Sequence, residues 1–207
     1  FGLNWTAALR DCSSVDQASD YFVRLTTDIV DDCSTINLVG YSFGVIIAFD
    51  LALKLQSNQS QVSLTMLDAS PINIGSTIHA YRDRVYNVND DEHSKQTESL
   101  IFLLGQLTRI DSKQLRQHLM AVKDKQQQLR KVAEILAENG LIQSSDISDT
   151  MVAIETFTLK LMMLAEYKPE QKFVGNITLI RAEESLVKSG EQDEDYGCSK
   201  VNLLSNL

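Results

Sequence analysis

The chain has 207 residues, 43 % of them hydrophobic and only two of them proline, enough for one well-packed globular domain with room for a subdomain. Its formal charge of −9 argues against nonspecific binding to nucleic acid or anionic lipid, since both need a basic surface that displaces counterions. The apolar run from Val45 to Leu55 is broken by Asp50 and Lys54; it falls short of the roughly 20 apolar residues a membrane span needs, so none is expected.

The chain opens Phe1-Gly2-Leu3-Asn4-Trp5, with no initiator Met and no basic stretch ahead of an apolar one. A signal peptide is therefore not expected, and an upstream part is. Cys12, Cys33 and Cys198 are odd in number, widely spaced and without a C-x-x-C pair, which predicts reduced thiols in a cytoplasmic setting and no zinc site. The first residues read as the end of a strand. From Asp16 to Asp31, the apolar residues Ala18, Phe22, Leu25, Ile29 and Val30 recur at an approximate helical period, with Ser14 or Asp16 as the cap.

Ile36-Asn37-Leu38-Val39 is a β-prone run that stops at Gly40, and Val45 to Gln56 has a helical composition. The order is strand, tight turn, helix. Val62 to Leu67 predicts a second buried parallel strand, ending at Asp68 before Ala69-Ser70-Pro71. A third follows Val174-Gly175, at Asn176 to Arg181.

Between the second and third strands the sequence is helical in character, with candidate helices near Lys95 to Leu107, Ser112 to Met120, Lys125 to Glu138 and Asp146 to Glu166. This block is too long for one βαβ crossover and reads as a helical insertion over the strand ends. The acidic clusters Asp90-Asp91-Glu92 and Glu191 to Asp195 read as solvated loops. No internal repeat or sustained heptad is present.

Gly40-Tyr41-Ser42-Phe43-Gly44 has the G-x-S-x-G form of a nucleophile elbow, and the strand before it and helix after it are the context that form requires. A serine hydroxyl is a weak nucleophile; it must stand exposed on a sharp turn where a base reaches it and backbone N–H groups meet the oxyanion. Glycines at 40 and 44 keep the turn free of side chains that would crowd it. The alternative is a glycine-rich βα turn in which Ser42 merely caps the helix.

Asp68, at the end of the next strand, has the placement of a triad acid; otherwise it is a turn residue before Ala69-Ser70-Pro71. The base is not evident. Only His79, His93 and His118 exist, all ahead of the third strand, where a triad histidine is not expected. His79 is the least remote substitute, and each reads better as a surface or core histidine.

Ile36 to Val45 together with Met66-Leu67-Asp68-Ala69-Ser70-Pro71 resembles the thioesterase domain at the C-terminal end of animal fatty acid synthases. Tyr81-Arg82, Leu161 to Tyr167 before Lys168-Pro169, Gly175 to Ala182 and Asp195-Tyr196 are similar to that domain in the same order; the helical insertion matches in patches.

The resemblance implies an α/β-hydrolase-type, mostly parallel sheet, incomplete at both ends. Residues 1–78 and 168–207 would form the α/β core and 79–167 a helical insertion serving as a lid. It also implies a serine-dependent hydrolysis of long-chain acyl thioesters to free fatty acid. The acyl group arrives on the phosphopantetheine arm of an acyl carrier protein domain, the partner expected here; no bound cofactor is implied, and the parent synthase is expected to be a homo-oligomer.

On this mapping Ser42 is the nucleophile, Asp68 the acid and the Phe43 N–H one oxyanion donor, while Phe102, Leu103, Phe157, Leu161 and Leu164 line an acyl groove. The same apolar positions at helical spacing also read as plain core. The family's second oxyanion donor lies upstream of Phe1 and its Gly-Asp-His stretch beyond Leu207, so the sequence reads as a fragment that is close to inactive by itself. Other readings are a non-catalytic module that binds acyl chains or a carrier protein, and a different serine hydrolase, such as a lipase or a polyketide- or peptide-releasing thioesterase.

Overall fold

The computed structural model describes residues 2–31, 33–56, 61–71, 81, 83, 91–108, 110–169 and 171–180. Among these, the chain is an α/β protein with three parallel strands and six α-helices. It divides into two units, Phe1–Thr77 with Glu166–Leu207, and Ile78–Ala165.

In the first unit, Val15–Val30 (α1) starts where the Ser14 side chain accepts the Gln17 N–H, and it buries Val15, Ala18 and Phe22. Thr35–Tyr41 (β1), Phe43–Gln56 (α2) and Gln61–Leu67 (β2) follow, and Asn176–Ile180 (β3) completes a sheet of order β1-β2-β3. Residues 45–53 of α2 are all buried, as a helix apolar on every side must be; α2 packs on β1 and β2, and α1 packs on α2. The opening residues, expected to end a strand, do not. Residues 2–6 are irregular and lead into a 3-10 turn, Ala7–Leu9, whose buried Leu9 anchors the segment.

The one carboxylate within α2, Asp50, is 9 % exposed. It accepts hydrogen bonds from the Ser19 hydroxyl and, at 3.0 Å, from the Tyr167 hydroxyl, and it pairs with Lys54 at 3.4 Å. A buried charge costs several kcal/mol unless its lone pairs are met; here the partners join α1, α2 and the chain after α6. Burial alone would lower the Lys54 ammonium, but hydrogen bonds to Asp16 and Asp20 and the charges of Asp50 and Asp16 carry it above its ordinary value. Burial, and then the Asp50 charge, drives the Tyr167 phenol well above the ordinary tyrosine range.

Entry to β3 is fixed by α2. The Gln56 amide donates to the Lys172 carbonyl at 3.0 Å and accepts from the Val174 N–H at 3.1 Å, and the Phe173 ring lies 6.2 Å from that of Phe49. A β-carbon at Gly175 would stand 2.1 Å from the Val62 carbonyl oxygen, so the strand approaches β2 only through glycine.

The second unit contains Glu92–Leu107 (α3), Ser112–Ala121 (α4), Lys125–Glu138 (α5) and all but the last residue of Ile147–Glu166 (α6). The side chains of Asp91, Asp111 and Asp124 cap the first three of these helices, each satisfying a free N–H of the first turn. The Asp91 cap starts α3 three residues before the expected Lys95, so Asp91 and Glu92 are cap and first turn rather than loop. The Ser94 hydroxyl, and then its N–H, hold the Asp91 carboxyl below the usual range. Leu100, Leu104, Leu115, Leu119, Val132 and Ile154 are part of one core, and Arg116 grips the buried Glu98 carboxylate with two hydrogen bonds of 2.5 and 2.7 Å. Arg82, Arg181, Glu191 to Asp195, Tyr196 and Cys198 lie outside the described residues.

Candidate active site

Between the last residue of β1, Tyr41, and the first of α2, Phe43, stands a single residue, Ser42, with φ +51°. The left-handed region costs a non-glycine residue roughly 1–3 kcal/mol and persists only where the surroundings enforce it. A capping serine sits in extended backbone instead, as Ser14 does here with φ −140°. The backbone at Ser42 is thus that of a strained strand-to-helix turn, and the residue is exposed.

What enforces it is local. The Ser42 N–H reaches the Leu67 carbonyl at 3.4 Å, and the Ser42 carbonyl accepts from the Val45 N–H at 2.9 Å. A β-carbon at Gly40 would lie 2.5 Å from the Val45 Cα, so glycine there lets the helix start fold back onto the strand. Gly44 differs from the expectation: a β-carbon there meets nothing within 4 Å. Only the first glycine of the pentapeptide is required by crowding.

Helix α2 begins at Phe43, two residues before the expected Val45, because the turn is one residue long. The Phe43 N–H therefore belongs to the first turn of the helix, at the positive end of the helix dipole. The Phe43 ring meets the Trp5 indole edge-on, with centroids 5.7 Å apart and planes at 74°.

Asp68 follows β2 as Ser42 follows β1. Tyr41 is in register with Leu67, so the next residues, Ser42 and Asp68, leave neighbouring strands that run about 4.8 Å apart. Asp68 also has positive φ, +53°, and its N–H donates to the Ile180 carbonyl at 2.8 Å, which fixes it to β3. Both residues stand at the carboxyl edge of an open parallel sheet, where ligands of such sheets bind.

Neither histidine that is described belongs to this unit. His93, in α3, has its Nε2 3.3 Å from the Met120 carbonyl; His118, in α4, is exposed; His79 lies outside the described residues. Among the acyl-groove candidates, Leu103 is buried as part of the helical core. Phe102 and Leu161 pack with Tyr81 and Ala165, the Tyr81 and Phe102 rings 5.2 Å apart. Leu164 is half-buried and Phe157 exposed. No group of His, Cys, Asp and Glu fit to hold a metal ion occurs among the described residues.

No protein-family model matches the chain. Sequence reasoning gave Trp5 no role, although it is the sole tryptophan of the chain. It also missed the network around Asp50, whose signal was an i,i+4 pair of charges, Asp50 and Lys54, inside a mostly apolar helix.

Proposed function

We propose that the chain is a serine-dependent thioesterase acting on long-chain acyl groups delivered by an acyl carrier protein, the chain-terminating step of fatty acid synthesis. The observation that carries this reading is Ser42, in left-handed backbone at a one-residue strand-to-helix turn, with Asp68 as its counterpart on the adjacent parallel strand. The Ser42 oxygen attacks the thioester carbonyl while the Phe43 N–H donates to the forming oxyanion. The thiol of the carrier arm leaves with a proton, and the acyl group stays on Ser42. Water then releases the free fatty acid and restores the serine. Asp68 orients a histidine that shuttles the protons. The hydrolase fold, the role of the helical unit as an acyl-binding lid and a cytoplasmic location belong to the same proposal.

Hydrolysis of long-chain acyl thioesters by the full-length protein tests it. Ser42→Ala should lower kcat by about 10⁴-fold or more, and retained turnover would remove Ser42 from the mechanism. A second reading, an acyl- or carrier-binding module without turnover, is motivated by the order of the sequence, in which His79, His93 and His118 all precede the third strand. Saturable acyl binding by a full-length protein that releases no fatty acid would select it.

A further inference from the structure

The restraints that hold the Ser42 turn are of two kinds. The two hydrogen bonds to Leu67 and from Val45, and the close approach at Gly40, are made by the main chain of β1, α2 and β2. The contact of Trp5 with Phe43 is made by side chains, and Trp5 comes from a different segment. That segment is itself held: Leu9 is fully buried, its N–H donates to the Thr6 carbonyl at 3.0 Å, and its carbonyl accepts from Cys12 at 3.2 Å. Edge-on aromatic pairs set the positive rim of one ring against the negative face of the other, so the contact fixes orientation as well as distance. Phe43 carries that ring on the first residue of α2, the oxyanion donor of the proposed mechanism.

We propose that Trp5 is a positioning residue for the oxyanion donor: by fixing the Phe43 ring it holds the Phe43 N–H toward the place where the thioester oxyanion forms. This rests on the thioesterase reading above. A donor that wavers costs transition-state stabilisation more than substrate binding, because the oxyanion exists only in the transition state. The effect therefore belongs in kcat and not in KM.

The test is steady-state hydrolysis of one long-chain acyl thioester by the full-length protein and its Trp5→Phe, Trp5→Leu and Trp5→Ala variants, each checked by thermal melting. Trp5→Leu and Trp5→Ala should lower kcat about tenfold with KM within about twofold, whereas Trp5→Phe, which keeps an aromatic edge, should stay within about threefold of the parent. If the alanine variant does not fold, the phenylalanine and leucine variants decide. Leucine at full kcat, equal losses in both variants, or a loss lying in KM would each overturn the role. Ser42→Ala separates the two levels: an inactive Ser42→Ala beside a fully active Trp5→Leu removes only the positioning role, while an active Ser42→Ala removes both.

Discussion

Among the described residues, the two non-glycine residues with positive φ, Ser42 at 51° and Asp68 at 53°, stand at the ends of neighbouring strands, whereas the positive φ of the helical unit belongs to Gly140, at 71° beyond α5. The helical unit is built by local rules that agree with one another: aspartate caps, buried leucines and a glycine after a helix end. At the sheet edge the same chain accepts a backbone that its side chains disfavour. Strain of this kind needs an enforcing environment and tends to mark sites where geometry serves chemistry rather than stability. The contrast between the two units therefore supports a functional reading of the edge independently of the pentapeptide.

Gly40→Ala should break the comparison most forcefully. Its new methyl would meet backbone, the Val45 Cα at 2.5 Å and the Gly44 carbonyl at 2.7 Å, and neither can swing aside as a side-chain tip would. A destabilisation of about 3 kcal/mol or more is expected, at the upper end of overpacking costs, measured by denaturant unfolding. A loss below about 1 kcal/mol would mean that β1 and α2 are not held so closely.

Exchanging glycine for strain in opposite directions sharpens the same contrast. Ser42→Gly removes a strained side chain, and after the greater freedom of glycine in the unfolded chain is subtracted it should still raise stability by up to about 1 kcal/mol, while abolishing acyl transfer. Gly140→Ala does the reverse, placing a β-carbon at positive φ, and should cost about 1 kcal/mol. For a chain of this length each kcal/mol moves the melting temperature by about 2–4 °C. Shifts of the same sign in both variants would undo the claim that only the sheet edge stores strain.

Much of this was readable from residues alone, and what was not has identifiable causes. The strands and long helices follow from short apolar runs and helical spacing, and the parallel pairing of β1 with β2 follows from one intervening helix. Helix starts were missed where a side chain decides them: Asp91 extends α3, and a one-residue turn starts α2 at Phe43. Residues 2–6 resembled a strand end by composition, but a strand needs a partner, and the 3-10 turn at Ala7–Leu9 follows them at once. At the site, Ser42 and Asp68 announced themselves by motif and position. The Trp5 contact could not, because an aromatic pair across 38 positions of sequence leaves no local pattern. Leu103 marks another limit, since helical spacing does not distinguish a groove wall from the core in which it is buried.

Gly44→Ala should have the smallest effect, and it tests which part of the G-x-S-x-G pattern physics requires here. The pattern gives both glycines equal standing, but space does not. Gly44 is the second residue of α2 and has nothing within 4 Å of a would-be β-carbon, and its φ is not positive. Alanine in a helix is favoured over glycine by roughly 0.5–1 kcal/mol because less chain entropy is lost. Gly44→Ala is therefore expected to leave stability unchanged or raise it by up to about 1 kcal/mol, with Ser42 labelled at the parent rate by a fluorophosphonate. Slower labelling at undiminished stability would show that Gly44 keeps room for the incoming acyl group rather than for the fold, and the two glycines would then serve different ends of the same turn.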